Sequence, residues 1–219
     1  MTEKIQVVVL GAGGHARVLI DVLEAQGGAT IVGLLDADAR RWGTEMSGCL
    51  IRGGDDRLPE LAAAGATHFA VGVAGIGPGP LRARLFQSAI ERGLVPLTVV
   101  HPSARVSPRA VLEAGAQVFP GAIVNAGARI GANAIVNSGA IVEHDGQVGA
   151  AAHVASGACL AGGVTVGAGA FVGAGATVIQ GIRIGAAAFV AAGAVVVRDV
   201  PENALVAGVP ARILKRLSP

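Results

Sequence analysis

Residues 134–160 read AIVNSGAIVEHDGQVGAAAHVASGACL, and an aliphatic residue falls on every sixth place: Val136, Val142, Val148, Val154 and Leu160. The register holds outward in both directions. It runs back through Ile130, Val124, Val118, Leu112 and Val106, and forward through Val166, Val172, Val178, Ile184, Val190 and Val196. Two places before nearly every one stands a small residue, as at Ala116, Ala122, Ala134, Ala140 and Ala152, and only Val164 and Ile182 are larger. Residues two apart on a strand share a face. The aliphatic and its small partner therefore both point inward, and the residue between them points out. An amphipathic helix would need a period near 3.6, which these positions do not follow. Three short strands joined by tight, glycine-bearing turns close one triangular coil, and stacked coils bury one continuous core. The array predicts a left-handed parallel β-helix of hexapeptide repeats, about five coils deep at three strands per coil.

Composition agrees with a narrow core. The chain has 219 residues and is 52% hydrophobic, which argues against disorder, yet it has no Tyr, one Trp and 3% aromatics. Net charge is only +2, with 17 basic and 15 acidic residues and no basic run interleaved with aromatics, so nothing points to nucleic acid. Cys49 and Cys159 make no disulfide framework and read as free thiols in a reducing compartment. No secretory h-region opens the chain, and glycines and charges interrupt every apolar run before it could span a bilayer. A cytoplasmic protein with no membrane span is expected.

Upstream of the array the pattern changes. Ile5–Leu10 reads as a buried parallel strand, followed by Gly11-Ala12-Gly13-Gly14-His15-Ala16 and a helix to about Gln26. Ile31–Leu35 and His68–Val73 read as further strands, Leu58–Ala64 and Leu81–Arg92 as helices. This is one βαβαβ unit, a half-Rossmann α/β domain over residues 1–97. Its glycines permit a tight turn and a close backbone approach to a phosphate at a helix N-terminus, or they make a tight turn and nothing more. Asp36, at the end of the second strand, stands where an acid commonly meets a ribose hydroxyl. A second mononucleotide half does not fit, so a nucleotide-diphosphate group is expected rather than NAD. His101-Pro102 and Ser107-Pro108 suggest a linker into the β-helix, placed at 98–198, and residues 199–219 form a C-terminal cap with a basic tail.

Glu143-His144-Asp145 interrupts a bland repeat. Val142 points in, so Glu143 points out and His144-Asp145 occupies the corner. An imidazole beside a carboxylate can take a proton from an amine that attacks a thioester. The other reading is a solvated turn. His153 lies half a coil further on, so the two histidines cannot share a corner of one chain and would meet only across subunits. Alone, His153 would be a surface histidine.

These features together resemble the bacterial sugar acetyltransferases of the hexapeptide-repeat superfamily. The branch is that of the bacillosamine and perosamine N-acetyltransferases and the sialic acid O-acetyltransferases. The resemblance rests on Gly11–Ala16, Asp36, His101-Pro102-Ser103-Ala104, the unbroken hexads with Glu143-His144-Asp145, and Gly208-Val209-Pro210-Ala211. It implies an acetyl-CoA-dependent N-acetyltransferase of surface polysaccharide biosynthesis. The implied acceptor is a nucleotide-linked amino sugar of the 4-amino-4,6-dideoxy kind, and the implied assembly is a homotrimer with sites between subunits and no metal. By motif, His144 would be the general base and Asp145 would raise its basicity. His153 would meet the acetyl-CoA thioester region, with Gly162, Ala174 and Ala192 along the CoA arm. Asn137 would line the acceptor pocket, Gly13, Gly14 and His15 would hold the pyrophosphate, and Asp36 the nucleoside. Two departures stand out: Asp36-Ala37-Asp38 where relatives often carry adjacent acids, and the glycine-rich Gly72–Pro78. The alternatives are O-acetylation of a sialic-type sugar and a non-catalytic sugar-nucleotide-binding protein, which would not bind acetyl-CoA. A trimeric zinc enzyme of the carbonic anhydrase type would need a close histidine pair on one chain, which positions 144 and 153 do not offer.

Overall fold

The computed structural model describes residues 4–74 and 81–217. The N-terminal unit runs β1 (Ile5–Leu10), α1 (Gly14–Gln26), β2 (Ala29–Leu35), β3 (Glu45–Met46), β4 (Cys49–Gly53), α2 (Leu58–Ala63), β5 (His68–Val71), α3 (Leu81–Glu91) and β6 (Val95–Pro96). The sheet order is β3-β4-β2-β1-β5-β6, parallel except for the β3–β4 hairpin. Val7, Val8 and Val9 are fully buried, because β1 is central and covered on both faces. α1 turns Ala16, Leu19, Ile20 and Leu23 onto that sheet.

The β3–β4 hairpin is absent from the sequence reading. Its inner strand is short and alternates in burial instead of forming an apolar run, and β-strand signals of that length are weak. The usable signal is Ser47-Gly48, both at positive φ, as a two-residue hairpin turn demands.

The supposed linker is already coil. β7 (Val99–Val100) pairs in parallel with Gln117–Val118, one hexad ahead of the first position in the array, and Arg105–Val106 follows on the next face. The prolines sit in the turns between these rungs, where no ladder N–H is needed. From there each hexad contributes a two-residue strand, and every strand pairs with the one three hexads later. Three parallel faces result. Face one carries Gln117, Ile135, His153, Phe171 and Phe189 outward, face two Ile123, Ile141, Cys159 and Thr177, and face three Arg129, Gln147, Thr165 and Arg183. Inside, the aliphatic and small columns form one cluster from Ala116 to Val206, nearly all of it at 0–2% exposure. Gly149 shows how closely coils approach: a Cβ there would stand 2.6 Å from Ala168 N. Ala204–Gly208 continues the face-one ladder, and Ala211–Arg216 folds back antiparallel on it.

The N-terminal unit packs on face one. Val99, Phe119 and Ile135 join the cluster formed by Val7, Val9, Ala12, Leu19 and Leu23. This explains why outward residues of that face are buried. Replacing Leu160 by Ala is expected to cost about 2–5 kcal/mol through the cavity left in the prism. Thr165→Ala, one coil face away and exposed, should stay within about 0.5 kcal/mol. Thermal or denaturant unfolding of the two variants checks the inward–outward assignment.

Candidate active site

β1 ends at Leu10 and the chain turns through Gly11, at φ +102°, into α1. A Cβ on Gly11 would stand 2.6 Å from Val73 Cγ2, so both the turn and its packing require glycine. Gly13 and Gly14 differ. Neither lies in the left-handed region, and a Cβ on either would meet no described residue within 4 Å. Their bareness serves open space rather than the chain. It exposes the first N–H groups of α1, which no side chain among the described residues caps and which suit an anion. The space is a cleft of about 560 Å³ bounded by this loop, Asp36, Ala37, Asp55 and Gly72–Ala74, at the C-terminal ends of the strands. The segment Gly75–Pro78, part of the glycine-rich departure, falls outside the described residues.

Asp36 lines this cleft, but its carboxylate already holds the loop. Oδ2 accepts from Ala12 N at 2.9 Å and from the Arg41 guanidinium at 3.1 Å, and Oδ1 accepts from Asp38 N at 2.9 Å. Asp38 caps the short turn Ala39–Arg41 and pairs with Arg40, and it is not among the residues lining the cleft. The second acid at the cleft is Asp55. Burial, then the charges of Asp36 and Asp56, raise its pKa above the usual carboxylate value. Sequence reasoning missed Asp55 because it arrives through the unexpected hairpin; the doublet Asp55-Asp56 closing β4 was the available hint.

His15 also lines the cleft, and it reaches the β-helix. Its Nε2 lies 3.0 Å from Gln117 Oε1, and Gln117 Nε2 donates to Val71 O at 2.9 Å. Burial, then the charge of Arg82, push His15 down to about 3, so a neutral ring stands there and offers a phosphate no positive charge. His153 is not a surface histidine. It points out from face one, as its register requires, but the N-terminal unit covers it to 4% exposure. Asn137 Nδ2 lies 3.1 Å from His153 Nε2, Phe171 meets the ring edge-on, and burial followed by the Arg82 charge lowers its pKa to about 4. Arg82 was not foreseen either. Fully buried, it donates to Val71 O, Val73 O and Asn133 O at 2.6–3.0 Å, binding β5 and α3 to the prism.

The charged corner lies elsewhere. His144 and Asp145 stand exposed at the turn between faces two and three, with His144 Nδ1 2.9 Å from Asp145 Oδ2. That contact assigns the ring proton to Nδ1 and leaves the Nε2 lone pair free. The Asp145 hydrogen bond raises the pKa of His144 above the ordinary histidine value, and the charge of Glu143 adds to this. Glu143 is oriented by Asn125 Nδ2 at 2.9 Å from the preceding coil. Asp145 takes φ +59°, in the column where Gly127, Gly163 and Gly181 take +75°, +67° and +74°. An L-residue there is uncommon and strained, Asp less than most. Gly162 belongs to this same corner, beneath the His144 ring. Ala174 and Ala192 are exposed at the turns leaving face one, a different edge of the prism. Among the described residues no group of three His, Cys, Asp or Glu could hold a metal ion, and no helix is long and apolar enough to cross a membrane.

Fold and site thus define a left-handed β-helix protein with a Rossmann-like α/β domain on one face and a His–Asp pair at the opposite corner. Residues 6–89 match the family described as the PglD N-terminal domain. The chain is 41% identical to the structure of PerB from Caulobacter crescentus in complex with CoA and GDP-perosamine, covering 98% of this chain and 99% of that one at a TM-score of 0.90. It is 31% identical to the acetyltransferase domain of PglB from Neisseria gonorrhoeae in complex with acetyl coenzyme A, covering 97% and 100% at 0.88. WeeI from Acinetobacter baumannii, at 24% identity and 0.84, shares the fold. Comparison with curated proteins gave no match. The chain belongs to the sugar acetyltransferase family of the hexapeptide-repeat superfamily.

The strained place of Asp145 separates stability from activity. Asp145→Gly should leave the melting temperature unchanged or raise it by up to about 3 °C, since relief of roughly 1 kcal/mol corresponds to a few degrees in a chain of this size. Turnover should fall in the same variant. Calorimetry and a rate measurement on one preparation check both halves.

Proposed function

We propose that the chain is an acetyl-CoA-dependent N-acetyltransferase. It acts on the amino group of a nucleotide-linked amino sugar, a 4-amino-4,6-dideoxy sugar by the kinship with PerB, in the cytoplasm and as a homotrimer. The relatives bound to CoA, acetyl-CoA and GDP-perosamine support the two substrates. The observation that carries the mechanism is the His144–Asp145 pair with its free Nε2. The amine nitrogen attacks the thioester carbonyl carbon as His144 Nε2 accepts the amine proton. The new N–C bond forms, the C–S bond breaks, and the thiolate leaves and is protonated. The neighbouring carboxylate stabilises the imidazolium that results. No covalent link to the protein is needed.

The nucleotide end of the acceptor is assigned to the cleft at Gly13, Gly14 and Asp36, where uncapped N–H groups meet the loop that Asp36 shapes. That cleft abuts face one, while His144 occupies the corner between faces two and three, on the far side of the prism. One chain cannot bring the two together. A neighbouring subunit's corner has to supply the base, and cyclic closure gives three equal sites. Asn137 would border the groove from the face-one side, with Ala174 and Ala192 along the CoA arm. A monomer at micromolar concentration in sedimentation would contradict this assembly.

The activity is tested by thiol release from acetyl-CoA across nucleotide-linked amino sugars, with sialic-type hydroxyl acceptors as the competing class. Release only with the hydroxyl sugars, or with none, defeats the proposal. His144→Ala is expected to lower kcat by roughly 10²–10⁴. The wild-type rate should rise with pH, with a midpoint above the ordinary histidine value of about 6.5, since only the neutral ring is a base and Asp145 holds its proton more firmly. Asp145→Asn should move that midpoint down, and His144→Ala should abolish it.

A further inference from the structure

The imidazole of His144 rests against the α-carbon of Gly162, one coil further along the same corner. A Cβ on Gly162 would stand 2.5 Å from His144 Nε2, 2.6 Å from Cε1 and 3.2 Å from Cδ2, inside van der Waals contact. The two turns are tied by Gly163 N–H donating to His144 O at 2.9 Å. The backbone does not explain this glycine, because its φ is outside the left-handed region. The same corner position in the other coils holds Pro108, Ala126, His144, Gln180 and Arg198, each with a side chain. Glycine occurs in that column only where the neighbouring ring needs the room.

We infer that Gly162 is a positioning residue for acetyl transfer: its bare α-carbon is the seat that holds the His144 ring on Asp145 with Nε2 in place. The inference rests on the reading of His144 as the base. A methyl group at 162 would occupy the space beside the proton-accepting nitrogen. His144 is 61% exposed in its side chain, so the ring can swing into solvent at little cost to the fold. The damage falls on the base and its bond to Asp145, while the coil has a precedent for alanine at Ala126.

The test is Gly162→Ala, alone and combined with His144→Ala. The single variant is expected to lose roughly 10²-fold in kcat, the scale of a misplaced catalytic group. Its kcat–pH midpoint should fall toward about 6.5 as the ring leaves Asp145, with acetyl-CoA affinity unchanged within about twofold. In the double variant the rate should equal that of His144→Ala, because the ring that collides is gone, and any drop in melting temperature caused by Gly162→Ala should be recovered. Wild-type kcat and pH profile in Gly162→Ala would overturn the inference. So would weakened acetyl-CoA binding at unchanged kcat, which would make Gly162 a contact of the CoA arm, or a stability loss that persists without the ring. If His144→Ala itself retains full turnover, the base assignment fails. The imidazole ¹H–¹⁵N signals of His144 in Gly162→Ala still decide the seat: unchanged signals refute it, and loss of the Asp145-bonded Nδ1–H supports it.

Discussion

Coil-to-coil stacking governs the rest of this molecule. Every rung pairs with the rung three hexads on, so each position of the hexad becomes a column running along the prism. The inward columns carry one branched aliphatic and, at nearly every hexad, one small residue, because the triangular section is narrow; Val164 and Ile182, beside Val166 and Ile184, are the two places where it takes a pair of branched side chains. Dense packing then makes the array nearly rigid. A residue placed at a corner keeps its height and direction to within the tolerance of that ladder, which is the kind of precision a catalytic group needs.

Rigid columns make exceptions informative. At the corner between faces two and three, one column carries glycine at 127, 163 and 181 and aspartate at 145, and its neighbour carries a lone glycine at 162 beside histidine at 144. The fold gains nothing from a strained Asp or an empty seat. Both deviations surround one imidazole, bonded at Nδ1 and open at Nε2. Positive φ alone marks no site, since Asn133, Ala151, Ala187 and Asn203 also take it at turns without a reactive group; what sets this corner apart is that the strained Asp and the bare glycine meet at one imidazole.

The junction on face one works by the opposite logic. There the exposed positions of the repeat are withdrawn from water by the N-terminal unit, and polar groups are kept neutral or bonded to carbonyls. His15 and His153 are pressed to about 3 and about 4, and Arg82 is spent on backbone oxygens. The histidines of this junction and the histidine of the corner share a residue type and differ in desolvation, which decides that only His144 is poised as a base near neutral pH.

Much of this was legible in the residues themselves. A period of six held without a skipped step names the β-helix, its inward columns and the corner place of His144 and Asp145, since register in a repeat is a local property. The strand–glycine–helix start of the α/β unit is equally local. What the chain alone could not disclose depends on which face the N-terminal unit covers. That contact buries His153 where the register had it facing out, turns His15 toward Gln117 and gives Arg82 its carbonyls. It also needs the β3–β4 hairpin to bring Asp55, in place of Asp38, to the cleft. These are encounters between residues far apart in sequence, set by packing area and desolvation, and no spacing rule encodes them. The seat at Gly162 is the intermediate case: the column is written in the sequence, but only the tertiary structure reveals that the missing side chain would strike a ring.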